Sequence, residues 1–111
     1  MKLEQIELPN GVLKVVLVGS LDIAGAGDVD MPLSVIGGQC EKVTVDLTGV
    51  DFMASIGIRT LVKTARALGA RGGKMTMFGA NDACKKVFAA TGVAEIIPCF
   101  DDEASAVAAL S

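Results

Sequence analysis

A chain of 111 residues is long enough for one domain with a real core and too short for two. Hydrophobic residues make up 51% and aromatics 4%, so that core must be aliphatic. The formal charge of −3 argues against nucleic acid as a partner, because a phosphate backbone demands clustered Lys and Arg. No apolar run approaches the ~20 residues needed to span a bilayer, so no membrane insertion is expected. The alternation of charged and apolar residues from Lys2 to Leu8 is unlike a signal peptide. Cys40, Cys84 and Cys99 form an odd set without CxxC spacing, which fits small buried residues in a reducing, cytoplasmic setting. Histidine is absent, which removes the commonest general base and metal ligand and points away from catalysis.

In chain order, Lys2 to Leu8 predicts a first strand. Pro9-Asn10-Gly11 is a strong turn signal, since Asn and Gly tolerate positive φ. Val12 to Val18 is apolar except for Lys14, as in an inner strand covered on both faces, and the two strands form an antiparallel hairpin. Gly19-Ser20-Leu21-Asp22 ends the second strand. From Ile23 to Gln39 the signal is weakest: Gly25, Gly27, Gly37, Gly38 and Pro32 oppose a long helix, so one short or irregular helix capped by Asp30 is expected. Val43, Val45 and Leu47 alternate with polar residues and make a third strand.

A helix follows, with Ile58, Leu61, Val62, Ala65 and Leu68 as its buried stripe, Arg59, Lys63 and Arg66 opposite, and Gly69 placed to stop it. Lys74 to Phe78 reads as a fourth strand. Asn81 or Asp82 caps a helix ending near Gly92. Ile96 and Ile97 suggest a last short strand, confined to an edge or terminus by Pro98, and Asp101 and Asp102 open a final helix. Strands alternating with helices from Val43 onward give a single α/β domain over residues 1–111, with a mixed sheet, an N-terminal antiparallel hairpin and helices packed on the sheet.

Few residues offer chemistry. Gly25-Ala26-Gly27 lacks the third glycine of a dinucleotide fingerprint, and Gly72-Gly73-Lys74 precedes a strand where a P-loop lysine should open a helix. Asp46 near a strand end suggests a phosphoacceptor, but Val18-Gly19-Ser20 supplies no acid pair to hold Mg²⁺, so a turn or capping role suits it better. No metal or cofactor is expected. Ser55 remains, at the start of a helix whose free N–H groups and dipole favour either a capping hydroxyl or an anion. Phe52 and Met53 read as an apolar anchor for the turn before it. Gly57 weakens the first helical turn, which points either to a close external approach or to tight internal packing.

Four segments resemble the STAS-domain proteins, most closely the small single-domain anti-sigma factor antagonists of bacteria. Gly19-Ser20-Leu21-Asp22 is similar to that family's G-x-L-D, and Val45-Asp46-Leu47-Thr48-Gly49-Val50 to its D-L-S-G-V strand end. Phe52-Met53-Ala54-Ser55-Ile56-Gly57-Ile58 is similar to its F-M-D-S-x-G-L switch, with Ala54 where the family usually has Asp. Thr91-Gly92-Val93 with Ile96-Ile97-Pro98 resembles its T-G-L…F-P region. The resemblance implies that Ser55 is phosphorylated by a partner that is both serine kinase and anti-sigma factor, and that a serine phosphatase reverses the mark. It further implies that Gly19, Ser20, Leu21 and Asp22, together with Ala54, Ser55, Ile56, Gly57, Ile58 and Arg59, border the partner-binding surface. A STAS scaffold or regulatory subunit working without phosphorylation, in a stress-signalling or lipid-transport assembly, is the alternative. A small domain binding an anionic metabolite at the same helix start is a third reading.

Overall fold

The computed structural model describes all 111 residues. Strand β1 (Lys2–Glu7) pairs antiparallel with β2 (Val12–Leu21). Between them Asn10 and Gly11 take φ of 69° and 75°, the positive values expected of that turn. Strand β3 (Lys42–Met53) lies parallel to β2, β4 (Lys74–Phe78) parallel to β3, and β5 (Cys99–Phe100) parallel to β4, giving the order β1-β2-β3-β4-β5. Helices α1 (Ile23–Gln39), α2 (Ser55–Ala70), α3 (Asp82–Thr91) and α4 (Glu103–Ala108) complete the α/β domain. Consecutive parallel strands joined by right-handed crossovers place α1 and α2 side by side on one face of the sheet.

The core is aliphatic as composition requires. Val15, Leu17, Val43, Val45, Leu47, Leu33, Leu61 and Leu68 are each fully buried. The neighbouring row on the sheet, Lys14, Thr44 and Thr76, faces α4. The Thr76 hydroxyl donates to the Ala106 carbonyl at 3.0 Å and lies 2.9 Å from the Thr44 hydroxyl, while Lys14 Nζ donates to Glu103 at 2.8 Å. Two buried threonines are thus satisfied by each other and by a helix end, which removes the cost of burying them.

Several expectations are corrected. The stretch from Ile23 to Gln39 is one continuous helix of 17 residues, capped by Asp22 and not by Asp30. Asp22 Oδ1 accepts the Gly25 N–H at 2.8 Å. The glycines inside α1 are not breaks: a Cβ on Gly25 would fall onto the Ser20 carbonyl oxygen, and one on Gly37 would lie 3.2 Å from the Ala67 methyl of α2. At the far end Arg71 donates to the carbonyls of Gly37 and Cys40 at 2.7 and 2.5 Å, satisfying the exit of α1.

Strand β3 does not stop at Leu47 but runs on to Met53. Gly69 does not end α2, which continues to Ala70; the reversal comes at Gly72, with φ of +81°. Ile96 and Ile97 are not a strand, because a short 3-10 turn over Val93–Glu95 bonds both of them back to Val93 and leaves Ile97 buried. The strand begins only after Pro98, whose carbonyl accepts the Met77 N–H at 3.0 Å.

Candidate functional site

Strands β2 and β3 are longer than β4, and their carboxyl ends project past it. The last β3–β4 partners are Asp46 and Phe78, whereas β2 and β3 stay paired up to Leu21 with Met53. Two register shifts bend this projecting ribbon, one between Val16 and Val18 and one between Gly19 and Ser20. Gly19 sits at the second with φ of +120°, a value that L side chains rarely adopt. The Asp46 carboxylate is spent locally, accepting from the Thr48 N–H at 2.9 Å and from the Thr48 hydroxyl at 2.6 Å. On the side where β4 has ended, the Asn81 amide donates to the Val50 and Asp51 carbonyls, each at 3.3 Å, while its oxygen caps α3 through Cys84 N–H at 2.8 Å.

The ribbon brings together the two segments singled out in the sequence. The Ala54 N–H donates to the Leu21 carbonyl at 3.0 Å, so the start of α2 is tied to the end of β2. Gly57 closes the contact: a Cβ there would lie 2.6 Å from Leu21 Cγ and 2.8 Å from the Leu21 carbonyl oxygen. The glycine is explained by internal packing, the second of its two readings. Beside it, the Ser20 hydroxyl donates to Asp51 at 2.7 Å.

The candidate residues divide into a visible and a hidden set. Ser55 and Arg59 are exposed; Gly19, Ser20, Asp22, Ala54 and Ile56 are half-buried. Leu21, Gly57 and Ile58 lie inside and shape the surface from below. Ser55 is the first residue of α2, and the capping position is Ala54, which has no side-chain acceptor to offer. The capping role of Ser55 is thereby corrected: an N-cap hydroxyl must sit one residue earlier, with extended backbone, to reach the N–H groups of the first turn. The anchor expected of Phe52 and Met53 is half right, since Met53 is buried and Phe52 is 52% exposed.

Ile23 is 81% exposed at the start of α1, and this surface residue was not singled out by the sequence. It borders a shallow groove of about 400 Å³ between the two helices, with Gly27 and Asp30 on one side and Ile56, Arg59 and Lys63 on the other. Exposure of a single apolar residue leaves no periodic signal, so Ile23 could not be told from a core position by pattern.

Residues 5–106 match the STAS domain. The chain belongs to the STAS domain family. It is homologous to anti-sigma factor antagonists. The anti-sigma F factor antagonist of Paenibacillus polymyxa is 29% identical over 110 residues, covering 96% of this chain and 94% of that protein. An anti-sigma factor antagonist from Mycobacterium paratuberculosis shares the fold with a TM-score of 0.84 at 22% identity, covering 98% of this chain and 94% of that one. The Bacillus cell fate determinant SpoIIAA in its phosphorylated form superposes with a TM-score of 0.74 at 18% identity, over 99% of this chain and 100% of that one. No helix of the STAS chain is long and apolar enough to cross a membrane.

Proposed function

We propose that this STAS protein is a cytoplasmic anti-sigma factor antagonist that binds an anti-sigma factor with serine kinase activity and is released when Ser55 is phosphorylated. The observation that carries the reading is Ser55 itself: exposed, first in α2, and free of the capping duty that a serine at a helix start usually has. A phosphate adds roughly −1.5 to −2 charges at neutral pH, and at this position it meets the positive end of the helix dipole. Arg59, exposed four residues on and in no ion pair, stands on the same helix face and offers a second favourable contact. The domain therefore tolerates the mark, and the switch acts at the interface. One opposed charge pair at 4 Å is worth about 1 to 4 kcal/mol depending on solvent exposure, enough for a tenfold change in affinity or more.

In this reading the chain is a substrate and binding module, catalysis belongs to the kinase, and a serine phosphatase resets the system. The ribbon end with Gly19 to Asp22 and the start of α2 with Ala54 to Arg59 form the docking platform, held as one body by the Leu21–Ala54 hydrogen bond. Incubating the chain with the cognate kinase and ATP tests the proposal: one phosphate should appear on the intact mass and map to Ser55, and Ser55→Ala should take none. No phosphate on the wild-type chain would remove the switch.

One observation favours a second reading. Ala54 leaves the helix start without the acid usual at that position, which fits a STAS scaffold or regulatory subunit in a stress-signalling or lipid-transport assembly that works unphosphorylated. Binding of an unmodified chain to its partner, unchanged by kinase and ATP, would support that alternative.

A further inference from the structure

Strand β3 lies at the centre of a largely parallel sheet, with β2 on one side and β4 on the other. Such a strand is covered on both faces and is ordinarily apolar throughout. One face of β3 obeys that rule, with Val43, Val45 and Leu47 all fully buried. The other face breaks it. Lys42, Thr44 and Asp46 alternate with the apolar residues, Lys14 of β2 flanks Thr44 on one side, and Thr76 of β4 flanks it on the other. Apolar residues, Val12, Val16 and Phe78, stand only at the corners of this strip. Its middle is composed like a sheet that faces water, yet it is covered: Thr44 is 0% and Thr76 3% exposed.

The cover is α4, and it is slight. Its six residues fall well short of the ~12 at which an isolated helix begins to hold its shape in water. Within it only Ala106 is fully buried, joined beyond the last turn by Leu110. Two polar ties bind it to the strip: Glu103 accepts from Lys14, and the Ala106 carbonyl accepts from Thr76. When both ties are broken, the ammonium and the hydroxyl left on the sheet pass to water, which replaces the lost hydrogen bonds. Helix α2 has no such exit, because Ile58, Leu61 and Leu68 would all be exposed.

We propose that α4 is a detachable strap: residues 102–110 leave the sheet as one unit while the rest of the domain stays folded, and the Lys14–Thr44–Thr76 strip opens to water. The closed form dominates and the opening is transient. Asp101 is tied to α3 by Lys85 at 3.4 Å, whereas Asp102 caps α4, so the chain turns between these two exposed residues. Too short to stay helical alone, the released strap unfolds locally, as the least-anchored unit of a domain does.

A thiol label on the full chain reads the opening. Thr44→Cys sets a side chain of similar size under α4, and Cys84 on α3, equally buried, serves as the internal reference. With each rate taken relative to the urea-unfolded chain, iodoacetamide should modify position 44 at least about tenfold faster than Cys84. Glu103→Gln removes the charge from the tie to Lys14 and should speed labelling at position 44 by about threefold or more, with Cys84 unchanged. Circular dichroism and melting check that both variants fold. Hydrogen exchange on the unsubstituted chain gives a second reading: the amides of Ala106 and Ala109, bonded to Asp102 and Ser105, should open together and more readily than the β2–β3 ladder. Labelling at position 44 no faster than at Cys84, or unchanged by Glu103→Gln, would overturn the proposal. So would exchange at Ala106 that matches the ladder, or that quickens steadily from Ala106 to Ala109, the mark of an end that merely frays.

Discussion

Gly57 has no room for a methyl group because Leu21 already occupies it, side chain and carbonyl alike. A flexible side-chain end could yield, but the carbonyl oxygen belongs to the paired ribbon and also accepts the Ala54 N–H, so it cannot. Alanine would gain about 1 kcal/mol in helix propensity and lose about 1 to 3 in overpacking. The steric term wins: Gly57→Ala should lower the melting temperature by several degrees. Gly27→Ala, on the open face of α1, should raise it, since only the propensity term acts there. Thermal denaturation of the two variants side by side reads the opposite signs.

Ala54 holds the capping position of α2 with φ −95° and ψ 166°, backbone ready for an acceptor that its side chain lacks. Ala54→Asp should therefore stabilise the fold by about 1 kcal/mol. If the kinase reading of Ser55 is right, the same substitution restores the usual family residue and should speed phosphorylation. Melting and phosphate incorporation can be measured on one preparation.

Ser55→Ala should leave stability within about 0.5 kcal/mol of wild type, as a surface change that removes no cap. Asp22→Ala, in contrast, removes the acceptor of the Gly25 N–H and should cost about 1 kcal/mol. A urea midpoint for each separates a surface hydroxyl from a structural carboxylate.

The backbone N–H of Ser105, and then its hydroxyl, hold the Asp102 carboxyl below its ordinary value of 3.8. A carboxyl depressed on folding contributes stability that is present above its ordinary value and is lost as pH falls through the folded one. Helix α4 should thus loosen only in acid below about 3.8, and Asp102→Ala should remove that step from a pH titration followed by NMR. The neighbouring Lys14 is raised above 10.5, chiefly by its hydrogen bond to Glu103, so that link is kept below 10.5 and lost only at higher pH.

Burial pushes the thiols of Cys84 and Cys99 up, which starves both of thiolate near neutral pH. Cys84 is fully buried and Cys99 half-buried. Alkylation should be slow at Cys99 and should reach Cys84 only as fast as the protein unfolds, a difference that peptide mapping after iodoacetamide resolves.

Strand β3 and the amphipathic α2 were legible in the sequence through their periods, and β2 and β4 as short apolar runs, β4 being buried from Met75 to Phe78. Helix α1 was not, and the reason is physical. Its outer side mixes Ile23, Met31 and Val35 with Asp28 and Asp30, which blurs the 3.6-residue contrast, and four glycines mimic a loop when two of them serve contacts that only the fold reveals. Ile96 and Ile97 misled in the opposite way: two β-branched residues read as a strand, although only Ile97 is buried and a helical turn carries both. At the site, motif order placed Ser55 at the start of α2, but position alone could not say whether its hydroxyl capped the helix. A shift of one residue, from Ala54 to Ser55, separates the two roles.

Asn81 gives the projecting ribbon its only side-chain tie on the flank where β4 is missing, and the same amide group begins α3. In mechanical terms it is a rivet through two plates. The ribbon end is thus held to α3 through Asn81 as well as to α2 through the Leu21–Ala54 hydrogen bond. Whatever docks on this end of the molecule therefore meets a surface braced by two helices, α2 and α3.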